Sequence, residues 1–191
     1  MTSATASKIR ATPDDLERMP GGEARYELVN GEFRERNVSA ESNYVANKFN
    51  TRMTMFVDDA GLGLVFTEGC GIQVFPEPNP LRQSDGAFVA TGRLPGDRPP
   101  ARGYLTVAPD LVLEVLSPND NASEIRQKVE DYLAVGVRLV WVAYPDTRVV
   151  DAYAADGSVR TFGPAATLDG GDVLPGFSVP MAKLFPAPVA A

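Results

Sequence analysis

The chain has 191 residues, 44% of them hydrophobic, which suits one globular domain with a real core. Its net charge of −7 argues against coating nucleic acid by bulk electrostatics, although net charge leaves a local basic cleft open. Histidine is absent and cysteine occurs once, which removes Ser-His-Asp and Cys-His catalysis, His-rich zinc sites and any internal disulfide.

Thr12-Pro-Asp-Asp15 is a helix start, with a hydroxyl cap, a proline in the first turn and acids behind it; the helix ends near Met19-Pro-Gly-Gly22. Residues 1–11 before it are expected to be a disordered or extended arm. Tyr26–Arg34 alternates around Asn30-Gly31 and predicts a hairpin. The longest helix is expected over 39–60, where Val45, Phe49, Met53 and Phe56 form an apolar stripe and Gly61 gives a stop. Strands are predicted at 64–67, 71–75 and 84–90, with Cys70 a small residue in a glycine-rich turn. The Gly-, Pro- and Arg-rich stretch 91–103 is expected to be an exposed loop.

Pro109-Asp-Leu-Val-Leu-Glu-Val-Leu-Ser-Pro118 reads as a strand buried on both faces, with Glu114 in its middle. A buried carboxylate needs a cation or hydrogen bonds to compensate it, so something must sit opposite Glu114. A metal ion answers that need; an ion pair, or an edge strand turning Glu114 to solvent, answers it too. A helix capped by Asn119, Asp120 or Ser123 follows to about 135, with Ile125, Val129, Tyr132 and Leu133 on its apolar face. Strands are expected at 138–144 and 149–154, with a turn at Asp156-Gly157. The tail 168–177 reads as loop, followed by a short apolar segment before Pro186, and 187–191 as a C-terminal tail. No stretch approaches the roughly 20 apolar residues of a membrane span. The opening residues lack the apolar centre of a secretory signal, and the lone cysteine agrees with a reducing, cytoplasmic location. The element order predicts a mixed β-sheet flanked by helices, one α/β (α+β) domain over 12–186.

Three side chains could meet at the strand mouths. Asp85 opens an apolar strand, Glu114 sits inside the next major one, and Lys128 flanks the apolar face of the following helix. Two converging carboxylates stay ionised if a divalent cation neutralises them, and a lysine alongside can orient water and stabilise charge on phosphate. Each residue also has an ordinary reading: Asp85 as a turn aspartate, Lys128 as a solvated partner of Glu124 or Asp131.

Tyr26-Glu-Leu-Val-Asn-Gly-Glu32, Arg82-Gln-Ser-Asp85, the 109–118 block, Lys128-(three residues)-Tyr132-(three residues)-Gly-Val137, Val140-Trp-Val142 and Gly171–Phe177 occur in the order seen in the Uma family of restriction endonucleases. The chain resembles that family, within the PD-(D/E)XK nuclease superfamily, over roughly residues 12–186. The resemblance implies a restriction-endonuclease-like core and an endodeoxyribonuclease using Mg2+ or Mn2+, with DNA as substrate. Asp85 matches the first metal-binding aspartate and Glu114 the acid of the second half-motif; the Val115 carbonyl would complete the metal shell. The superfamily lysine two residues after the glutamate falls on Leu116, and Lys128 matches the position to which it migrates in this family. Glu27, in the matching hairpin, would add a third carboxylate, or else face solvent. Position 84 is Ser where the family usually has Pro, and Asn43 stands where members often carry histidine. A non-catalytic nuclease-like fold serving interaction or nucleic-acid binding is the alternative. Such nucleases often form homodimers, and the strand 138–144 with the hairpin after it would supply an interface.

Overall fold

The computed structural model describes residues 10–20, 26–29, 31–35, 39–68, 71–76 and 81–187. Most of the expected N-terminal arm, the turn at Cys70 and residues 188–191 of the tail lie outside them. The short helix α1 (Pro13–Arg18) is closed by a capping box: the Asp15 N–H donates to the Thr12 hydroxyl, and the Thr12 N–H donates to the Asp15 carboxylate at 2.9 Å. Strands β1 (Tyr26–Val29) and β2 (Glu32–Glu35) pair antiparallel across the expected turn. The Ala11 N–H reaches back to the carbonyl of Gly31 at 2.9 Å.

Helix α2 (Ala40–Ala60) follows, capped by Ser39 and closed by Gly61 in the left-handed region at φ 64. Its buried stripe of Val45, Phe49, Met53 and Val57 is shifted from the predicted one only at its end, where Phe56 is partly buried. Strands β3 (Gly63–Thr67), β4 (Gly71–Ile72), β5 (Arg82–Gln83), β6 (Gly86–Ala90) and β7 (Leu111–Val115) come next. The expected strand 71–75 is shorter than its apolar pattern suggests. Gly71 and Ile72 pair with Gln83 and Arg82 in a small sheet of their own, and beyond them the Gln73 N–H donates to the Leu105 carbonyl at 2.7 Å.

Helix α3 (Ala122–Ala134) is capped by Asn121, which is none of the three residues expected; its side chain accepts from the Ser123 N–H at 3.0 Å. Asp120 is instead taken by the Ser117 N–H at 2.7 Å. Strands β8 (Leu139–Tyr144), β9 (Val149–Ala154), β10 (Val159–Phe162), β11 (Thr167–Gly170) and β12 (Leu174–Pro180) complete the chain. The tail read as loop is therefore a hairpin, β11 against β12. Its register slips at Asp169–Gly170, and Leu168, Leu174, Phe177 and Val179 are buried.

The main sheet has six strands in the order β10-β9-β8-β7-β6-β3. All its pairs are antiparallel except β7 with β8, which α3 joins as a crossover. Alternation divides the side chains of β7 and β8 between two cores. Leu111, Leu113, Val115, Trp141 and Ala143 pack with α2 and the β11–β12 hairpin on one face. Val112, Val140 and Val142 pack with Val129 and Tyr132 of α3 on the other. Of the interface expected from 138–144 and the hairpin after it, β8 is thus buried between two neighbours, while the hairpin carries the sheet out to its edge at β10. Among the described residues, no helix is long and apolar enough to cross a membrane.

Candidate active site

Glu114 sits in β7 with the parity of Val112, so its side chain is directed to the α3 face, and it is only 4% exposed. Two residues one helical turn apart on α3 meet it there. Lys128 Nζ donates to Glu114 Oε2 at 3.2 Å, and the Tyr132 hydroxyl donates to Oε1 at 2.7 Å. The i, i+4 spacing sets both on one side of the helix, and the crossover lays that side against β7. The sequence alternatives for Lys128 are occupied otherwise: Asp131 pairs with buried Arg82, and Glu124 with Arg34 at 2.9 Å.

Asp85 stands just before β6. Gly86 pairs with Leu113, so one further step of that register sets Asp85 opposite Glu114. Parity agrees, because Val89 of β6 packs in the α3-side core with Val112. The Asp85 carboxylate accepts the N–H of Val115 at 2.7 Å, taking the place of a ladder carbonyl at the strand mouth. Its own carbonyl accepts from Asn50 Nδ2 of α2 at 2.8 Å, across the sheet. Gly86 makes this reach possible, since a Cβ there would overlap the Asn50 amide oxygen. The N-terminus of α2 is fastened to the same mouth: Ser42 and Ser117 hydroxyls lie 2.9 Å apart, and the Ser39 N–H donates to Ser117 at 3.3 Å.

The fold therefore gathers Asp85, Glu114, Val115 and Lys128 at one end of β6 and β7. Glu27 lies in β1 opposite Arg34, and its side chain is outside the described residues. Tyr132, counted in the sequence only as part of an apolar face, and Asn50 are the site members that sequence reasoning missed. At the other end of β7, Asp110 is as buried as Glu114. It is satisfied by the Ala90 N–H at 2.9 Å, Arg93 at 2.8 Å and Arg138 at 3.5 Å, which makes it a structural anchor.

Asp85, Glu114 and Lys128 together carry one net negative charge, and their acceptors are hard oxygens. Among the described residues there is no cluster of three or more metal-ligating side chains. Magnesium does not require one, since it binds through one or two carboxylates with waters and substrate phosphates completing its shell. The donor set fits such an ion.

A family model, Uma2, with the description "Putative restriction endonuclease", matches residues 13–182. The chain belongs to the Uma2 family. Its fold is also similar to a crystal structure titled as a putative nuclease belonging to DUF820 from Anabaena variabilis. The TM-score is 0.75 at 17% identity, and the match covers 93% of this chain and 97% of the other. That likeness is one of fold: the mixed sheet flanked by helices is common to both. A comparison with the curated proteins finds no match. For this Uma2 member, the family match points to a nuclease.

Proposed function

We propose that this Uma2 protein is a metal-dependent endodeoxyribonuclease, with Asp85 and Glu114 as ligands of Mg2+ or Mn2+. The observation that carries this reading is a 4%-exposed glutamate in an otherwise apolar strand, with an ammonium group on one side and a second acid on the neighbouring strand. When bound, a divalent ion would polarise a phosphoryl oxygen and lower the pKa of a water. Lys128 Nζ, fixed by Glu114, stabilises negative charge developing on the phosphate and orients the attacking water. The Tyr132 hydroxyl holds the Glu114 carboxylate in one orientation. The Val115 carbonyl would add a neutral oxygen, its own N–H already holding Asp85 in place. Cutting both strands of a duplex asks for two such sites, so a homodimer belongs to the proposal, as does a cytoplasmic location.

A second reading keeps the fold as a binding module without chemistry. It is favoured by Glu114 having both oxygens engaged by Lys128 and Tyr132. Incubation with supercoiled plasmid and Mn2+ separates the two readings. Catalysis requires nicking that falls about a hundredfold or more in Glu114→Ala and Lys128→Ala. Asp85→Asn, which preserves shape, should weaken Mn2+ binding measured by calorimetry. Equal nicking by wild type and variants identifies a contaminant, and unchanged Mn2+ binding in Asp85→Asn favours the binding module. Light scattering of the same preparations reads the oligomeric state.

A further inference from the structure

Residues 43–55 of α2 carry two parallel stripes, of which only Asn50 also touches the site described above. Asn47, Asn50, Thr51 and Thr54 line one wall of a groove of about 420 Å³, and Thr67 and Glu68 at the end of β3 line the other. Asn43 bridges the groove, donating to Glu68 at 3.1 Å. One residue on from three of the groove positions run Tyr44, Lys48 and Arg52, each four residues from the last. Tyr44 is 46% exposed and Met55, at the groove edge, 55%. They are two of the three large hydrophobic side chains most open to solvent among the described residues. Lys48 Nζ stands 5.2 Å from the Tyr44 ring centroid. The groove opens at the same end of the sheet as Asp85 but on the α2 face, because Thr67 pairs with Gly86 and Asn50 bonds to the Asp85 carbonyl; a bound strand would round the end of β6 to reach the carboxylates on the α3 face.

The geometry points to this face of α2 as a docking track for an unpaired nucleic-acid strand leading to the Asp85–Glu114 mouth. This deepens the nuclease reading and rests on it for the direction of the track. The chemistry of the wall selects the occupant. The groove is lined by amides and hydroxyls together with Ala46, Met55 and the Glu68 carboxylate, a mixture of apolar surface, donors and acceptors that matches the face and edge of a base. It has no cation within it, so phosphate does not belong there. Two cations and an exposed aromatic ring stand immediately outside, the combination that tracks a phosphate backbone and stacks bases of a single strand. Lys48 and Arg52 are the two cations of α2, with Glu41 lying in its first turn. Asp58 and Asp59 bound the track at the far end of the helix. Paired bases turn their edges to each other, so the groove suits an unpaired strand, such as one strand of a locally opened duplex.

The test measures binding in EDTA, where no cleavage occurs, using fluorescein-labelled 16-nucleotide single-stranded DNA and its duplex. Wild type should bind the single strand at least fivefold more tightly. Lys48→Glu with Arg52→Glu should weaken that binding at least tenfold. Two lost phosphate contacts should also flatten the slope of log affinity against log salt by about 1.4, at about 0.7 per contact for single strands. Asn47→Trp, at an exposed position, should block the groove and lower affinity while leaving the salt slope unchanged. Arg98→Glu with Arg102→Glu, exposed in the loop that follows the far end of β6, changes the net charge equally. Equal weakening by that control, tighter duplex binding, or wild-type affinity in the α2 variants overturns the track. Loss of binding in the α2 variants of a protein that nicks no DNA would leave the track standing and remove the nuclease reading. The reverse pattern would do the opposite.

Discussion

Glu114 is held by two different kinds of partner, and their removal separates into distinct outcomes. Tyr132→Phe deletes one hydroxyl donor to a buried charge and should cost about 1–3 kcal/mol. Lys128→Met leaves that charge without its cation and should cost about 3–5 kcal/mol, of which adding Glu114→Gln should restore a large part. Urea denaturation reads all of these, and a Lys128→Met protein as stable as wild type would contradict the pairing. Gly86→Ala should cost about 1–3 kcal/mol, because the new methyl displaces the Asn50 amide from the Asp85 carbonyl. The same denaturation curve measures it. Glu114 was legible because a lone acid in a run of Val and Leu contradicts its surroundings. Tyr132 and Asn50 were not: a tyrosine on an apolar stripe counts as core until its hydroxyl finds a partner. Asn50 follows Phe49 on a helix sorted by hydropathy, where nothing local marks a polar residue that reaches through a glycine gap.

Elements were legible where local chemistry decides them and lost where a distant partner does. The cap at Thr12 and the stop at Gly61 are short-range events, and they were read from a few residues. The β11–β12 hairpin was not, since its glycines, Pro175 and Asp residues carry loop signals. Only the α2-side core, which takes up Leu168, Leu174 and Phe177, makes it a strand pair. That hairpin is tied to β10 by Arg160, whose two guanidinium nitrogens donate to Asp169 at 2.8 and 2.7 Å. This fork holds the Asp169 carboxyl below its ordinary value of 3.8; the Gly171 N–H assists, and partial burial opposes both. A depressed folded value means the contribution is present above 3.8 and lost as pH falls through the folded value. The pair is largely solvent-exposed, so Asp169→Asn should cost only about 0.5 kcal/mol at neutral pH. Denaturation of both proteins should show the difference vanish in strong acid; a difference that persists there would rule out the ion pair as its source.

At the scale of the molecule, the order of strands and helices was enough to expect a mixed sheet flanked by helices, and the α3 crossover between parallel β7 and β8 supplies its parallel pair. Strand order was not readable, for each of β3, β6 and β9 has an apolar pattern that fits several positions in a sheet. The main sheet is shared by both cores, so the two faces should lose structure together. The sole tryptophan lies in that sheet, at 0% exposure. Its ring is 6.2 Å from Phe49 of α2 and 5.5 Å from Phe177 of β12, centroid to centroid. Thermal unfolding followed by its emission and by far-ultraviolet circular dichroism should give coincident midpoints, and separated ones would show the faces melting apart. Trp141 also has no acceptor for its indole N–H among the described residues. An indole so dry and unbonded should fluoresce far to the blue, and a strong red shift should accompany its first contact with water. The protein thus contains a built-in optical gauge of its own interior, usable on every variant above without attaching a dye.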